Sequence, residues 1–164
     1  MINIRILEVE DVSEDYVNWF SKKEIIEFSD NQYLFFSLER QKEYVHECLI
    51  SDDKELYGIF EDDIHIGNII MKNINKFHCR AEIGYVIGDK NYWGKGYGKK
   101  AVNEIMGKAK NKHHLTKLYA GVASANIASI KVLENNKFVL EGIRKKHLKY
   151  NKLWFDQLDY GVIL

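Results

Sequence analysis

The stretch of sequence that decides the fold is A-E-I-G-Y-V-I-G-D-K-N-Y-W-G-K-G-Y-G-K-K-A, from Ala81 to Ala101. Its first seven residues are rich in the β-branched and aromatic side chains typical of a strand. The next segment, 91–98, is rich in glycine and leads directly into apolar residues at helical spacing, Tyr97, Val102 and Ile105. The sequence therefore predicts a strand, a glycine loop and a helix in direct succession.

The glycine loop carries three alternate glycines, Gly94, Gly96 and Gly98, at the opening of the predicted helix. Glycine lets the backbone approach a ligand closely and aim successive N–H groups into one concavity, and a helix N-terminus adds about half a positive charge. Lys95 and Lys99 add positive side chains at the same place. The loop is therefore a candidate site for a pyrophosphate.

This loop is a weak signal when taken alone, because glycine loops also serve as plain turns. The chain has no G-x-x-x-x-G-K-[ST] motif. It also lacks the later acidic residue and the parallel βαβ setting of a dinucleotide site. Nucleotide hydrolysis and hydride transfer are therefore not expected.

A second informative element lies downstream, where Asn126 ends a predicted strand (115–122) and begins a predicted helix (126–136). A carboxamide at that position can cap the helix or bond a ligand amide. The local pattern favours the cap. The occurrence of both elements in this order and at this distance favours a ligand.

The remaining chain shows period-2 and period-3.6 patterns in the order β-α-α-β-β-β-α-β-α-β-β. It closes with a predicted hairpin, 138–150 and 153–164, around Asn151 and Lys152. This order predicts an α/β fold with a mixed sheet and helices packed on it. Because no spacer, repeat or low-complexity tract interrupts the pattern, residues 1–164 are interpreted as a single domain.

Charge and composition restrict the class of function. The 164 residues include 24 lysines plus arginines and 24 aspartates plus glutamates, so no basic field favours nucleic acid or membrane as a partner. Cys48 and Cys79 have no metal-like spacing, and the adjacent His113 and His114 face different directions, so no metal site is expected. Without a signal-like N-terminus or a long apolar run, a cytoplasmic location is expected.

Four motifs together resemble the GNAT N-acetyltransferase superfamily, and specifically its RimJ/RimL-like (ribosomal-protein-acetyltransferase-like) branch. They are A-E-I-G-Y-V-I at 81–87, Y-W-G-K-G-Y-G at 92–98, N-I-A-S-I-K-V-L at 126–133 and E-G-I-R at 141–144. The resemblance spans nearly the whole chain. It implies a GNAT fold, with a central mixed, mostly antiparallel twisted sheet of about seven strands flanked by about four helices. Two splayed parallel strands, here 81–87 and 115–122, would hold acyl-CoA.

The resemblance also implies acetyl-CoA (coenzyme A) as cosubstrate and assigns its binding residues. Backbone amides of the loop would hold the pyrophosphate, the strand end would pair with the pantetheine arm, and the start of the later helix would touch the pantetheine or the phosphates. In that order the residues are Gly94, Lys95, Gly96, Tyr97, Gly98 and Lys99, then Val86 and Ile87, then Asn126 and Ser129.

Glu82 is the candidate catalytic residue. It matches the position at which several superfamily members carry a glutamate base that acts directly or through water. The interpretation of Glu82 as an ordinary solvent-facing strand residue is equally consistent with the sequence. Strand alternation places Glu82 and Gly84 on one face, and the small glycine would leave room there for an acceptor.

The general acid is left open by the resemblance. Leu133 occupies the position where many members have a tyrosine that reprotonates the departing thiolate. Another acid or water would take this role. Tyr92, Tyr150 and Tyr160 are candidate donors that no family position supports, and packing explains each of these aromatics better.

The implied function is an acetyl-CoA-dependent N-acetyltransferase in which an amine attacks the thioester directly in a ternary complex. The acceptor would be a primary amine of a small molecule (an amino sugar, a polyamine or an antibiotic) or a protein N-terminus. The alternative is a non-catalytic acyl-CoA-binding or sensory module, which Leu133 favours and Glu82 opposes. A homodimer is also possible, formed by pairing of an edge strand with the same strand of a second copy.

Overall fold

The computed structural model covers residues 1–164. The strands are β1 (Ile2–Ile6), β2 (Glu55–Glu61), β3 (Ile64–Asn75), β4 (Arg80–Ile87), β5 (Lys117–Ala123), β6 (Val139–Tyr150) and β7 (Leu153–Ile163). The α-helices are α1 (Glu14–Trp19), α2 (Lys23–Ile26), α3 (Leu38–Leu49), α4 (Tyr97–Asn111) and α5 (Ile127–Asn135). None of these helices has the length and apolar character that a membrane crossing requires.

The seven strands form one sheet in the order β1-β2-β3-β4-β5-β7-β6. Only β4 and β5 run parallel, and all other neighbours are antiparallel. The parallel pairing is short: it begins at Arg80 with Lys117 and ends at Glu82 with Tyr119. Beyond that pair the two strands separate, so residues 83–87 of β4 have no strand on their β5 side. The predicted fold class is confirmed.

Two apolar clusters hold the helices against opposite faces of the sheet. On one face, Val102 and Ile105 of α4 and Leu133 of α5 pack against core residues of the strands, and all three are almost fully buried. On the other face, Tyr16 of α1 and Val45 of α3 pack against β2. Both clusters remove apolar surface from water, which is the main stabilising contribution to the fold.

Local sequence signals explain the ends of several elements. Ser37 caps α3 by accepting a hydrogen bond from the Arg40 amide at 3.2 Å, as expected for serine at a helix start. At the closing hairpin, Asn151 and Lys152 have φ of 50° and 66°, the left-handed pair that a two-residue turn requires. The predicted hairpin is therefore confirmed.

Strand β5 begins two residues later than the sequence pattern predicted. His114 adopts a left-handed φ of 54°, and the Leu115 amide donates to the Ala109 carbonyl at 3.0 Å, which extends the end of α4. Leu115 is nevertheless buried, so its apolar character reflects packing of the loop rather than strand pairing.

Candidate functional site

The glycine loop ends in an exposed nest of backbone amides. Gly94 and Gly96 have φ of 72° and 85°, which glycine adopts readily and other residues rarely do. Helix α4 begins at Tyr97, and its first helical hydrogen bond runs from the Lys100 amide to the Gly96 carbonyl at 3.0 Å. None of the amides from 94 to 99 donates a hydrogen bond within the protein. The loop therefore presents unpaired N–H groups at a helix N-terminus, the arrangement that binds anions.

Three lysines surround this nest, and none of them forms an ion pair. Lys95 lies with its Nζ 5.6 Å from the ring centroid of Tyr92, Lys100 lies 5.8 Å from that of Tyr97, and Lys99 is exposed. The first turn of α4 contains no acidic residue. The segment 91–100 therefore carries three positive and no negative side chains although the whole chain is neutral.

The end of β4 adjoins the nest. Val86 and Ile87 pair with Asn68 and Gly67 of β3, which leaves the opposite edge of the strand free. The indole Nε1 of Trp93 donates to the Ile87 carbonyl at 3.0 Å. This bond ties the glycine loop to the strand end, a contact that the sequence pattern did not reveal.

The start of α5 forms the third side of the site. Asn126 Oδ1 accepts a hydrogen bond from the Ser129 amide at 3.2 Å, so the capping role is realised, while Asn126 Nδ2 has no partner within the protein. A Cβ at Gly98 would lie 3.4 Å from Val132 of α5 and 4.0 Å from Tyr85 of β4. The starts of both helices and the open part of β4 thus converge, which brings the residues assigned to the coenzyme together.

Two hydroxyl groups link β4 to α5 at this point. Ser129 Oγ donates to the Tyr85 hydroxyl at 2.9 Å, and that hydroxyl donates to the Ser129 carbonyl at 3.1 Å. Burial raises the pKa of Tyr85 to about 12, so the phenol keeps its proton near neutral pH. No motif in the sequence points to Tyr85 as a functional side chain. Strand alternation could have found it, because it places Tyr85 on the face that α4 and α5 cover.

The tyrosines considered as proton donors are engaged elsewhere. The Tyr160 hydroxyl donates to Glu134, and the Tyr150 hydroxyl donates to Asp30, each at 3.0 Å. Tyr92 packs edge-on against Tyr97 in the glycine loop. Leu133 is buried in the core.

Glu82 lies at the last β4–β5 pair, where the two strands begin to separate. One carboxylate oxygen is 3.3 Å from Lys72 Nζ, and the other accepts a hydrogen bond from Asn73 Nδ2 at 2.9 Å. The side chain is 26% exposed, so solvent or a small molecule can reach it. Glu82 is therefore held by Lys72 and Asn73 and is still accessible at the cleft, the gap where β4 and β5 separate.

The face of β4–β7 turned away from α4 and α5 is called the open face here. Residues such as Leu118 and Tyr160 belong to the core on the other face of the sheet. Because side chains alternate along a strand, their neighbours in sequence lie on the open face, and several of these are polar. The side chains that define it are Glu82, Tyr119, Glu141, Arg144, Gln157 and Asp159.

Hydrogen bonds connect three of these side chains. Arg144 Nε donates to Asp159 Oδ2 at 2.7 Å, and Gln157 Nε2 donates to Asp159 Oδ1 at 2.7 Å. Burial acts to raise the pKa of Asp159, but the bonds from Gln157 and Arg144 outweigh it and hold this pKa below its usual value. The chain contains no group of three or more histidine, cysteine, aspartate or glutamate side chains arranged to hold a metal ion.

Comparisons with known proteins agree with this geometry. The family model described as "Acetyltransferase (GNAT) domain" matches residues 2–139. The probable N-acetyltransferase YjcK of Bacillus subtilis is 32% identical over an alignment that covers 99% of this chain and 93% of that protein.

Solved structures share the fold at lower sequence identity. The ribosomal L7/L12 alpha-N-protein acetyltransferase RimL, solved in complex with coenzyme A, has a TM-score of 0.89 at 21% identity, with 99% of this chain and 94% of that chain covered. The spermidine N-acetyltransferase of Vibrio cholerae, solved with coenzyme A and spermine, has a TM-score of 0.87 at 20% identity, with coverages of 99% and 95%.

Proposed function

The chain belongs to the acetyltransferase (GNAT) domain family and is an acyltransferase, and from that premise we propose that it moves the acetyl group of acetyl-CoA to a primary amine. The acceptor is a small molecule, such as an amino sugar, a polyamine or an antibiotic, or it is a protein N-terminus. The observation that carries this proposal is the row of unpaired amides from 94 to 99 beside the open edge of β4. The cytoplasmic location and the possible homodimer stay predictions.

Binding of acetyl-CoA follows from the three elements that converge at the site. The pyrophosphate accepts hydrogen bonds from the amides of the nest, where the dipole of α4 and the unpaired lysines favour negative charge. The pantetheine arm pairs with the free backbone edge at Val86 and Ile87. Asn126 contributes its free Nδ2 group to the same ligand.

The chemical step needs a base, an oxyanion donor and an acid. In our proposal Glu82 takes the proton from the acceptor ammonium, directly or through a water molecule, and the neutral amine attacks the acetyl carbonyl carbon. A backbone N–H of Val86 or Ile87 stabilises the oxyanion that develops. Much of the rate acceleration comes from holding both substrates in one geometry.

Attack leaves the amine nitrogen positively charged, and collapse of the tetrahedral intermediate breaks the carbon–sulfur bond, releases the thiolate of coenzyme A and frees one proton from that nitrogen. Leu133 has no proton to give. We propose that water carries the proton freed from the nitrogen to the thiolate, because the Ser129 hydroxyl proton is already donated to Tyr85.

The alternative of a non-catalytic binding module rested on Leu133 alone. The chain belongs to a family of acyltransferases, and Glu82 provides an accessible carboxylate at the cleft. No contact in the structure favours the alternative.

The test is release of free thiol from acetyl-CoA in the presence of single amines. The panel contains amino sugars and their nucleotide derivatives, polyamines, aminoglycosides and N-terminal peptides. We expect turnover with one class, together with mass-spectrometric detection of an acetylated amine. Binding of acetyl-CoA without thiol release across the whole panel would count against the proposed reaction.

A further inference from the structure

The open face carries charge in a form that restricts which amines it accepts. Its three carboxylates each lie beside one cation. Asp159 pairs with Arg144, Glu141 with Lys117 at 2.7 Å, and Glu82 with Lys72 at 3.3 Å. The face therefore carries three carboxylates, and each of them is already in an ion pair.

Glycines let these side chains lie flat against the sheet. A Cβ at Gly121 would be 2.6 Å from Gln157 Nε2, and a Cβ at Gly161 would be 2.5 Å from Glu141 Oε1. The side chains of Gln157 and Glu141 thus occupy the space that larger residues at these positions would fill. Because the polar groups lie close to the sheet, a compact molecule can rest on them on the same face as Glu82, which the strand register places one strand away, across Tyr119 of β5.

Paired charges disfavour an acceptor that carries several positive charges. A polyamine would need to displace cations from carboxylates at 2.7–3.3 Å, or to place its own charges beside Arg144 and the lysines. Placing a second cation beside a paired one, without an additional carboxylate, is unfavourable in a partly buried site.

Hydroxyl groups find suitable partners on the same face. The Tyr119 hydroxyl and the Gln157 side-chain carbonyl have no hydrogen-bond partner within the protein. The carboxylates that accept bonds from Arg144 and Lys117 also keep further lone pairs. A site built in this way selects for ligand hydroxyls, because an analogue without them leaves polar groups unpaired.

Resting on the function proposed above, we propose that Arg144, Gln157 and Asp159 form an acceptor subsite for a compact amine that carries hydroxyl groups and a single positive charge, the chemical class of amino sugars. Arg144 has two roles in this subsite. It orients Asp159 for hydrogen bonding, and it excludes polyamines by neutralising that carboxylate.

The experiment compares kcat/KM for glucosamine, a nucleotide-linked amino sugar, spermidine and an N-terminal peptide in the wild type and in Arg144→Met. We expect the wild type to prefer an amino sugar over spermidine. In Arg144→Met, Asp159 loses its cation, so kcat/KM for spermidine should rise about tenfold or more while that for the amino sugar falls by a similar factor. Asp159→Asn should lower amino-sugar turnover without admitting spermidine.

Lys145→Met is the matched control. Lys145 pairs with Asp156 at 2.9 Å on the same hairpin, is 77% exposed, and binds a carboxylate that alternates onto the opposite face of β7. It should leave the ratio of the two activities unchanged, and calorimetric binding of coenzyme A should be unchanged in all three variants.

Each outcome has a separate meaning. A wild type that prefers spermidine or the peptide, or an unchanged preference in Arg144→Met, would overturn the subsite while leaving the acetyltransferase function intact. Failure of the wild type to release thiol with any amine would instead overturn the proposed reaction.

Discussion

Gly96 is the position at which the anion nest can be tested most directly, because two substitutions there separate backbone strain from charge. Its φ is 85°, and a Cβ added to it would meet no atom within 4 Å. Gly96→Ala therefore causes no clash, and its only effect is the cost of a left-handed conformation, about 1–2 kcal/mol for a residue other than glycine. If the nest must hold this conformation to bind coenzyme A, affinity falls by roughly 5- to 30-fold.

Gly96→Glu adds a negative charge beside the bound phosphates. Two like charges about 4 Å apart repel by about 1 kcal/mol in bulk water and by about 4 kcal/mol at an effective dielectric constant of 20. The glutamate variant should therefore bind coenzyme A more weakly than the alanine variant, by a further factor of about five or more. Salt should reduce this additional loss and leave the loss caused by alanine nearly unchanged.

The assay is calorimetric titration with coenzyme A at low and high salt. Gly107→Ala is the control: this glycine lies inside α4, has no positive φ, and a Cβ there also meets nothing within 4 Å. It should raise the free energy of unfolding by about 0.8–1.0 kcal/mol through helix propensity alone and leave affinity unchanged. Wild-type affinity in both Gly96 variants would refute the assignment of the nest.

Three further predictions concern the base Glu82, the partly buried His65 and the close contact of Gly88 with Trp19. Glu82→Gln should lower kcat/KM by about 10²–10⁴ and shift its pH profile upward with coenzyme binding unchanged, and wild-type kinetics would remove Glu82 from the mechanism. Burial lowers the pKa of His65, so the free energy of unfolding should fall below about pH 6.5, where the unfolded chain gains a proton first, by up to about 1.4 kcal/mol per pH unit. Urea unfolding at pH 7.5 and 5.5 should show a smaller difference in His65→Phe, and an equal difference would exclude this histidine as the cause. Gly88→Ala would place its Cβ 1.9 Å from the Trp19 ring. Chemical denaturation should therefore show a free energy of unfolding lower by about 1–3 kcal/mol or more, whereas Gly107→Ala should raise it.

The sequence was most informative where a local rule applies. The local pattern favours Asn126 as a helix cap, and it accepts a hydrogen bond in that role. The turn at Asn151 and Lys152 was expected from its position between two alternating segments, and it has the required backbone conformation. These features depend on residues only a few positions apart, so the information that specifies them is contained in a short segment.

Prediction was least complete for the side chains that surround the reaction. The sequence favours neither a base nor an ordinary strand residue at Glu82, and the structure shows that Lys72 and Asn73 bind this side chain and leave it accessible. The sequence places Tyr85 only in a strand motif, whereas its hydroxyl is bonded to Ser129, 44 positions later. Such contacts join distant parts of the chain, and no local spacing encodes them.

The sequence by itself determined the order of strands and helices from β2 to β7, the glycine loop at the opening of α4 and membership of the acetyltransferase (GNAT) domain family, whereas between β1 and β2 the predicted order has two helices and the structure has three. It did so because periodicity, capping and glycine conformation act over short distances. Only the tertiary structure decided where β4 leaves β5, and that Arg144 is paired with Asp159 on the open face. Those features follow from the register of strands that pair across the sheet, and register is set by packing of the whole core rather than by any single segment.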